Sequence, residues 1–170
     1  MRTFLDRIYD AAGTLAAFFL AGTLLMVLTG ILGRLLDFYV RGTDSYAGYC
    51  MAASGFLALA HTLKRGEHIR VTLVLQALPE PLRHRLELWC YGAACVLAAF
   101  FAWFSARLAW QSWQFNDIST GNDATPLWIP QLSMAAGASI LLLAFADEFV
   151  IEILGRRHRT VGTGEPAHIE

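Results

Sequence analysis

Four long stretches of this chain contain no Asp, Glu, Lys or Arg, and they restrict the possible folds more than any other feature. These charge-free runs are residues 11–33, 45–63, 88–106 and 124–146. Because an α-helix rises 1.5 Å per residue, roughly 20 residues cross the ~30 Å hydrocarbon core of a bilayer. In lipid the backbone must satisfy its own hydrogen bonds, which favours helices. The sequence therefore predicts an all-α membrane protein with four transmembrane helices.

The overall composition agrees with this prediction. Only 16% of the 170 residues are charged and 56% are hydrophobic, whereas average soluble domains carry about 25% charged residues. A chain of this length accommodates one membrane domain, which we place at residues 1–159. The polar segment 160–170 contains glycines and a proline, so we expect a disordered tail there.

The distribution of cations predicts how these helices are oriented. Ten of the 13 Lys and Arg residues lie on the side that would hold both termini. The other side would hold three, Arg34, Arg41 and Arg107. Short cytoplasmic loops of membrane proteins are enriched in Lys and Arg. We therefore predict that the N- and C-termini are both cytoplasmic.

A short segment between the second and third runs predicts a further helix in the plane of the membrane. Residues 69–78 are mostly apolar but too few to cross a bilayer, and Pro79 and Pro81 follow them. Cations on both sides of the segment keep its two ends on one side of the membrane. We expect a short amphipathic in-plane helix over about 67–79, with an ordinary loop as the alternative.

Three residues are predicted to shape the helix ends on the outer side. Asp44 directly precedes the second run and is a candidate N-cap. Pro126 and Pro130 enter the fourth run, where a first-turn proline is tolerated and the deeper Pro130 is expected to kink the helix.

Tryptophan is enriched at membrane interfaces, which predicts an outer belt and an inner belt. The outer belt would contain Trp110, Trp113 and Trp128, and the inner belt Trp89.

Alanine repeats every four residues along the third run. The positions are Ala94, Ala98, Ala102 and Ala106. Small side chains let two membrane helices approach closely, so this stripe predicts a packing face. The sequence leaves open whether the partner helix belongs to this chain or to another subunit.

The deep parts of the predicted spans carry no ionisable group suited to binding an ion or a substrate. Transporters that handle their own substrate usually place such groups, or broken helices, near the bilayer midplane. Asp147 and Glu148 lie about 28 Å of helical rise beyond Trp128, at the predicted inner interface. His61 and His68 lie near one helix end, whereas two haem ligands approach an iron from opposite sides. No metal-binding, nucleophile–base or phosphate-loop motif is recognisable, so we expect neither an enzyme nor a cofactor.

Residues 64–71 read Lys-Arg-Gly-Glu-His-Ile-Arg-Val and lie where the second run ends. In a four-span chain of this length, the motif resembles the small membrane subunit of tripartite ATP-independent periplasmic (TRAP) transporters, the DctQ-type family. Other positions are also similar to that family. They are Asp44, the pair Leu78-Pro79, residues 125–130 (Thr-Pro-Leu-Trp-Ile-Pro) and Gly137.

This resemblance implies that the chain works with two other components in a bacterial inner membrane. A large membrane subunit would carry sodium and substrate, and a soluble periplasmic protein would deliver an organic acid or similar solute. The chain itself would support the static part of the large subunit and bind no nucleic acid. The resemblance also implies an inner anchor, with phospholipid headgroups as candidate ligands. Its residues would be Glu67, His68 and Arg70, and Arg65 and Gly66 of the same motif are structural or interface candidates.

Three alternatives stay open from the sequence. The first is a small subunit of a tripartite tricarboxylate-type transporter, which has a similar size and span count but is disfavoured by the Gly-Glu-His-Ile core at 66–69. The second is a four-helix haem membrane protein, and the third is a self-assembling channel. The transported substrate is not encoded in any of these features.

Overall fold

The computed structural model describes residues 2–38, 40–64, 79–121 and 123–154. Within these ranges the fold consists of four helices and contains no β-strand, which confirms the all-α prediction. The helices are α1 (Arg2–Leu35), α2 (Thr43–Lys64), α3 (Glu80–Gln114) and α4 (Trp128–Ile153). The predicted in-plane helix, apart from Pro79, and the predicted tail lie outside the described residues.

Three of the four helices are long and apolar enough to cross a membrane. The qualifying segments are Leu5–Leu35 of α1, Pro81–Gln114 of α3 and Trp128–Ile153 of α4. The 22-residue α2 does not reach the same apolarity. A membrane crossing by α2 therefore stays a prediction.

The helices form an open row in the order α1, α2, α4, α3. α1 packs along α2, α2 packs along α4, and α4 packs along α3, whereas α1 meets α4 only marginally. The rings of Phe56 on α2 and Phe101 on α3 lie 5.9 Å apart. The fold therefore contains two pairs of consecutive helices, α1 with α2 and α3 with α4. The contact of α2 with α4 joins the two pairs.

Glycines set the distance between neighbouring helices. A Cβ atom on Gly13 of α1 would lie 2.8 Å from the His61 ring, and one on Gly30 would lie 3.1 Å from Thr43 Oγ1. These contacts run in opposite directions along the two helices, so α1 and α2 are antiparallel. On α4, a Cβ atom at Gly137 would lie 2.6 Å from the backbone C and O atoms of Phe56. The backbones of α2 and α4 are therefore in direct contact.

Helix direction places the start of α1 and the end of α4 on the same side of the row. The side that holds the start of α1 and the end of α4 is called the terminal end, and it contains Tyr9, Lys64, His84 and Glu152. The opposite side is called the loop end, and it contains Arg34, Asp44, Tyr49 and Asp123. Which of these ends faces the cytoplasm stays a prediction from the cation distribution.

The helix ends at the loop end differ from the sequence prediction. α2 begins at Thr43, so Asp44 lies in its first turn and is not the N-cap. α4 begins at Trp128, four residues after the predicted start at Ala124, which has a φ of 48°. Pro126 precedes the helix and bridges to Ile118. Pro130 lies in the first helical turn, where a missing N–H costs no intrahelical hydrogen bond. The kink at Pro130 stays a prediction.

The alanine stripe of α3 is only partly a packing face. Ala98 and Ala102 are buried and Ala94 is half-buried, but Ala106 is exposed. A four-residue step turns 400° around an α-helix, so the stripe drifts by about 40° at each step. The buried line therefore leaves the alanines after Ala102. It continues through Ser105, Ala109 and Ser112.

Candidate functional site: the ionic cluster at the terminal end

Lys64 is the centre of an ionic cluster at the terminal end. This lysine is the last residue of α2, and its Nζ atom contacts Asp147 Oδ2 on α4. The same Nζ atom lies 3.4 Å from Glu148 Oε1. All three side chains are at most 20% exposed. Because they are largely shielded from solvent, their opposite charges are needed to offset one another.

Tyr9 brings α1 into the same cluster. The centroid of its ring lies 5.3 Å from Lys64 Nζ, within the range of a cation–π contact. Tyr9 is only 2% exposed and packs in the apolar cluster that includes Ala60, Leu63 and Ala144. Its hydroxyl is buried and has no hydrogen-bond partner among the described residues. The cluster thus holds three helices together through one ammonium group.

Two histidines at this end bond to neighbouring helices. His61 Nδ1 lies 3.3 Å from the carbonyl oxygen of Tyr9, which joins α2 to α1. His84 Nδ1 on α3 lies 3.0 Å from Glu152 Oε1 on α4. Glu152 is 1% exposed, and within the described part of the chain its Oε2 atom has no hydrogen-bond partner. Among the described residues, no group of three or more His, Cys, Asp or Glu side chains is arranged to hold a metal ion.

A second polar network holds the loop end together. The hydroxyl of Tyr49 on α2 lies 3.0 Å from Ser119 Oγ and 3.0 Å from Asp123 Oδ2. Ser119 also donates a hydrogen bond of 2.9 Å to Asp123 Oδ1. Hydrogen bonds from Thr125, Ser119 and Tyr49 hold the pKa of the Asp123 carboxyl well below its usual range. The network therefore ties the connection between α3 and α4 to α2 through an ionised carboxylate.

Asp44 lies beside an open cavity of about 520 Å³ at the loop end. Arg34 at the end of α1 donates a hydrogen bond of 3.3 Å to its Oδ2 atom. The two side chains are 77% and 84% exposed, so this ion pair contributes little to stability.

The structure brings together residues that the sequence analysis did not select. The candidate residues of the inner motif, Arg65, Gly66, Glu67, His68 and Arg70, all lie outside the described residues. The cluster directly before them joins Lys64 to Asp147 and Glu148. A signal for this pairing exists in the sequence, because Lys64 ends one charge-free run and Asp147 ends another. Tyr9 gave no comparable signal, since only the packed helices show that its ring lies beside Lys64.

Comparison with known proteins identifies the family. No curated protein matches this chain. A protein-family model matches residues 23–155, which include the last part of α1 and all of α2, α3 and α4. That family is described as tripartite ATP-independent periplasmic transporters, DctQ component. The chain therefore belongs to the DctQ family, the small membrane subunits of TRAP transporters.

Proposed function

We propose that this chain is a non-catalytic support for the large, sodium-coupled membrane subunit of a TRAP transporter. The observation that carries the proposal is the placement of charge. Ionisable contacts of the described helices collect at the terminal end and the loop end, and the charge-free runs lie between them. A subunit that carried an ion or an anionic solute would need polar groups near the midplane. We therefore assign the binding and transport of sodium and solute to the large subunit.

The open row of helices supports a role as a scaffold. The edge helices α1 and α3 expose large apolar side chains, such as Phe18 at 72% and Trp103 at 69%. Their burial against lipid or against another membrane protein stabilises the assembly, whereas exposure to water would be unfavourable. In this role the chain increases the membrane-embedded area of the transporter.

The proposal includes a location and an orientation. The chain lies in the inner membrane of a bacterium with both termini in the cytoplasm, and α2 is its fourth span. In the complete transporter, a periplasmic binding protein delivers an organic acid or similar solute to the large subunit. The inner motif at 65–70 anchors the chain at the cytoplasmic surface through phospholipid. Membership of the DctQ family favours this assignment over the tricarboxylate-type alternative.

Co-purification and transport together test the proposal. The tagged chain, isolated in mild detergent from native membranes, is expected to recover a large multi-span membrane protein. In proteoliposomes the large subunit and this chain together, with the binding protein and a sodium gradient, are expected to accumulate solute, whereas this chain alone is not. Solute uptake by this chain alone would contradict the support role. Failure to recover any large membrane partner would contradict the assignment as a TRAP subunit.

A further inference from the structure

An aromatic surface with one cation lies on the outward face of α3. Phe100, Trp103 and Phe104 are 59%, 69% and 56% exposed, and Arg107 is also exposed. The rings of Phe100 and Phe104 are stacked, with centroids 6.5 Å apart and an interplanar angle of 16°. Residues three and four apart share one helix face, so these side chains form a continuous strip. This strip is called the aromatic face of α3.

Two exposed tryptophans indicate the level of the membrane along α3. Trp89 is 71% exposed and Trp110 is 63% exposed. They are separated by roughly 31 Å of helical rise, which matches the ~30 Å hydrocarbon core. Because tryptophan side chains collect at both interfaces, the two residues mark where α3 enters and leaves the core. Arg107 then lies about 5 Å inside one interface, and Trp103 about 10 Å inside it.

Arg107 has no acidic partner within the described part of the chain. No described carboxylate lies within ion-pair distance of its guanidinium group. Asp123 belongs to the same end of the protein, but its oxygens accept hydrogen bonds from Tyr49 and Ser119. An arginine at this depth reaches toward the headgroup layer with its charged end. Its planar guanidinium is suited to a phosphate, to which it can donate two parallel hydrogen bonds.

We propose that the aromatic face of α3 binds one anionic glycerophospholipid, such as phosphatidylglycerol. The lipid phosphate accepts hydrogen bonds from Arg107, and an acyl chain lies along Phe100, Trp103 and Phe104. The charge and the polarity of the face both match this ligand, with a cation at headgroup level and aromatic rings directly below it. This site is separate from the inner motif at 65–70. It does not depend on the transport role proposed above.

Quenching of tryptophan fluorescence by brominated lipid tests the site. The full-length chain is reconstituted in phosphatidylcholine, and phosphatidylglycerol or phosphatidylcholine with brominated acyl chains is titrated in. Brominated phosphatidylglycerol is expected to quench with about fivefold higher apparent affinity, since one cation near a membrane surface contributes about that factor. A Trp103→Phe variant identifies the share of quenching that comes from Trp103. Circular dichroism is recorded for every variant to establish that it is folded.

Arg107→Gln removes the cation and is expected to abolish the preference for phosphatidylglycerol. Arg107→Lys keeps the charge and is expected to retain most of the preference for phosphatidylglycerol. Arg34→Gln is the matched control, because Arg34 also lies at the loop end but on α1, and it is expected to leave the preference unchanged. Equal affinity for the two lipids in the unaltered chain would overturn the proposal. A preference for phosphatidylglycerol that survives in Arg107→Gln would also overturn it. Loss of the preference in the complex with the large subunit would overturn it as well, because that subunit would then cover the face.

Discussion

Replacing Gly137 by alanine places a methyl group where α4 lies against the backbone of α2. The new Cβ atom would lie 2.6 Å from the C and O atoms of Phe56 and 2.8 Å from its Cβ atom. Ordinary van der Waals contact begins near 3.4 Å. The two helices must therefore separate by about 0.8 Å, because backbone atoms cannot rotate away as a side chain can. Such a shift loosens the packing around the fully buried Ala60, Ala138 and Ala144.

The expected cost follows from this overlap. Inserting a methylene-sized group into a packed contact costs about 1–3 kcal/mol. Alanine also favours a helix over glycine by up to ~1 kcal/mol, which offsets part of that cost. Gly55→Ala on α2 provides the matched control, since a Cβ atom there meets nothing within 4 Å. The propensity term is shared by both substitutions, so the difference of about 1–3 kcal/mol between them isolates the overlap.

Equilibrium unfolding in detergent micelles, followed by tryptophan fluorescence, measures both free energies. We expect Gly137→Ala to lower the free energy of unfolding relative to Gly55→Ala. Equal free energies of unfolding for the two variants would refute the direct backbone contact between α2 and α4. A higher free energy of unfolding for Gly55→Ala than for the unaltered chain would not refute this contact, because it reports only helix propensity.

Three further predictions concern the two ends of the protein. Lys64→Ala removes the ammonium group that contacts the shielded carboxylates of Asp147 and Glu148, and it is expected to lower the free energy of unfolding by about 3 kcal/mol. The exposed ion pair of Arg34 and Asp44 provides the control. Arg34→Ala should lower the free energy of unfolding by less than about 1 kcal/mol in the same assay. Tyr9→Phe removes a buried hydroxyl to which no described residue forms a hydrogen bond. This variant should therefore be at least as stable as the unaltered chain, whereas Tyr9→Ala should lose about 3–5 kcal/mol. For Asp123, the pKa is lowered from its usual 3.8, so its stabilisation is complete above that value and is lost as the pH falls below it. An acid titration of unfolding should show this loss in the unaltered chain and a smaller one in Asp123→Asn, and identical curves would contradict the assignment.

The sequence predicted the helical elements well because charge-free runs report directly on which segments avoid water. It was less successful at helix ends, because the local backbone conformation determines the residue at which a helix begins. Ala124 and Pro126 lie in a charge-free run, yet the chain there bridges back to Ile118 before α4 begins. It also could not show which helices are neighbours. Lys64 and Asp147 are 83 positions apart, and their contact depends on α4, rather than α3, lying beside α2.

The order of the row has a consequence for how the protein is made. α1 with α2, and α3 with α4, are antiparallel pairs of consecutive helices, so each hairpin buries its own contacts once its second helix is synthesised. The two hairpins meet mainly through the parallel contact of α2 with α4, for example at Phe56–Gly137 and Lys64–Asp147. Joining the halves must therefore wait until α4 has been synthesised. We therefore expect each hairpin to form first and the two hairpins to associate afterwards.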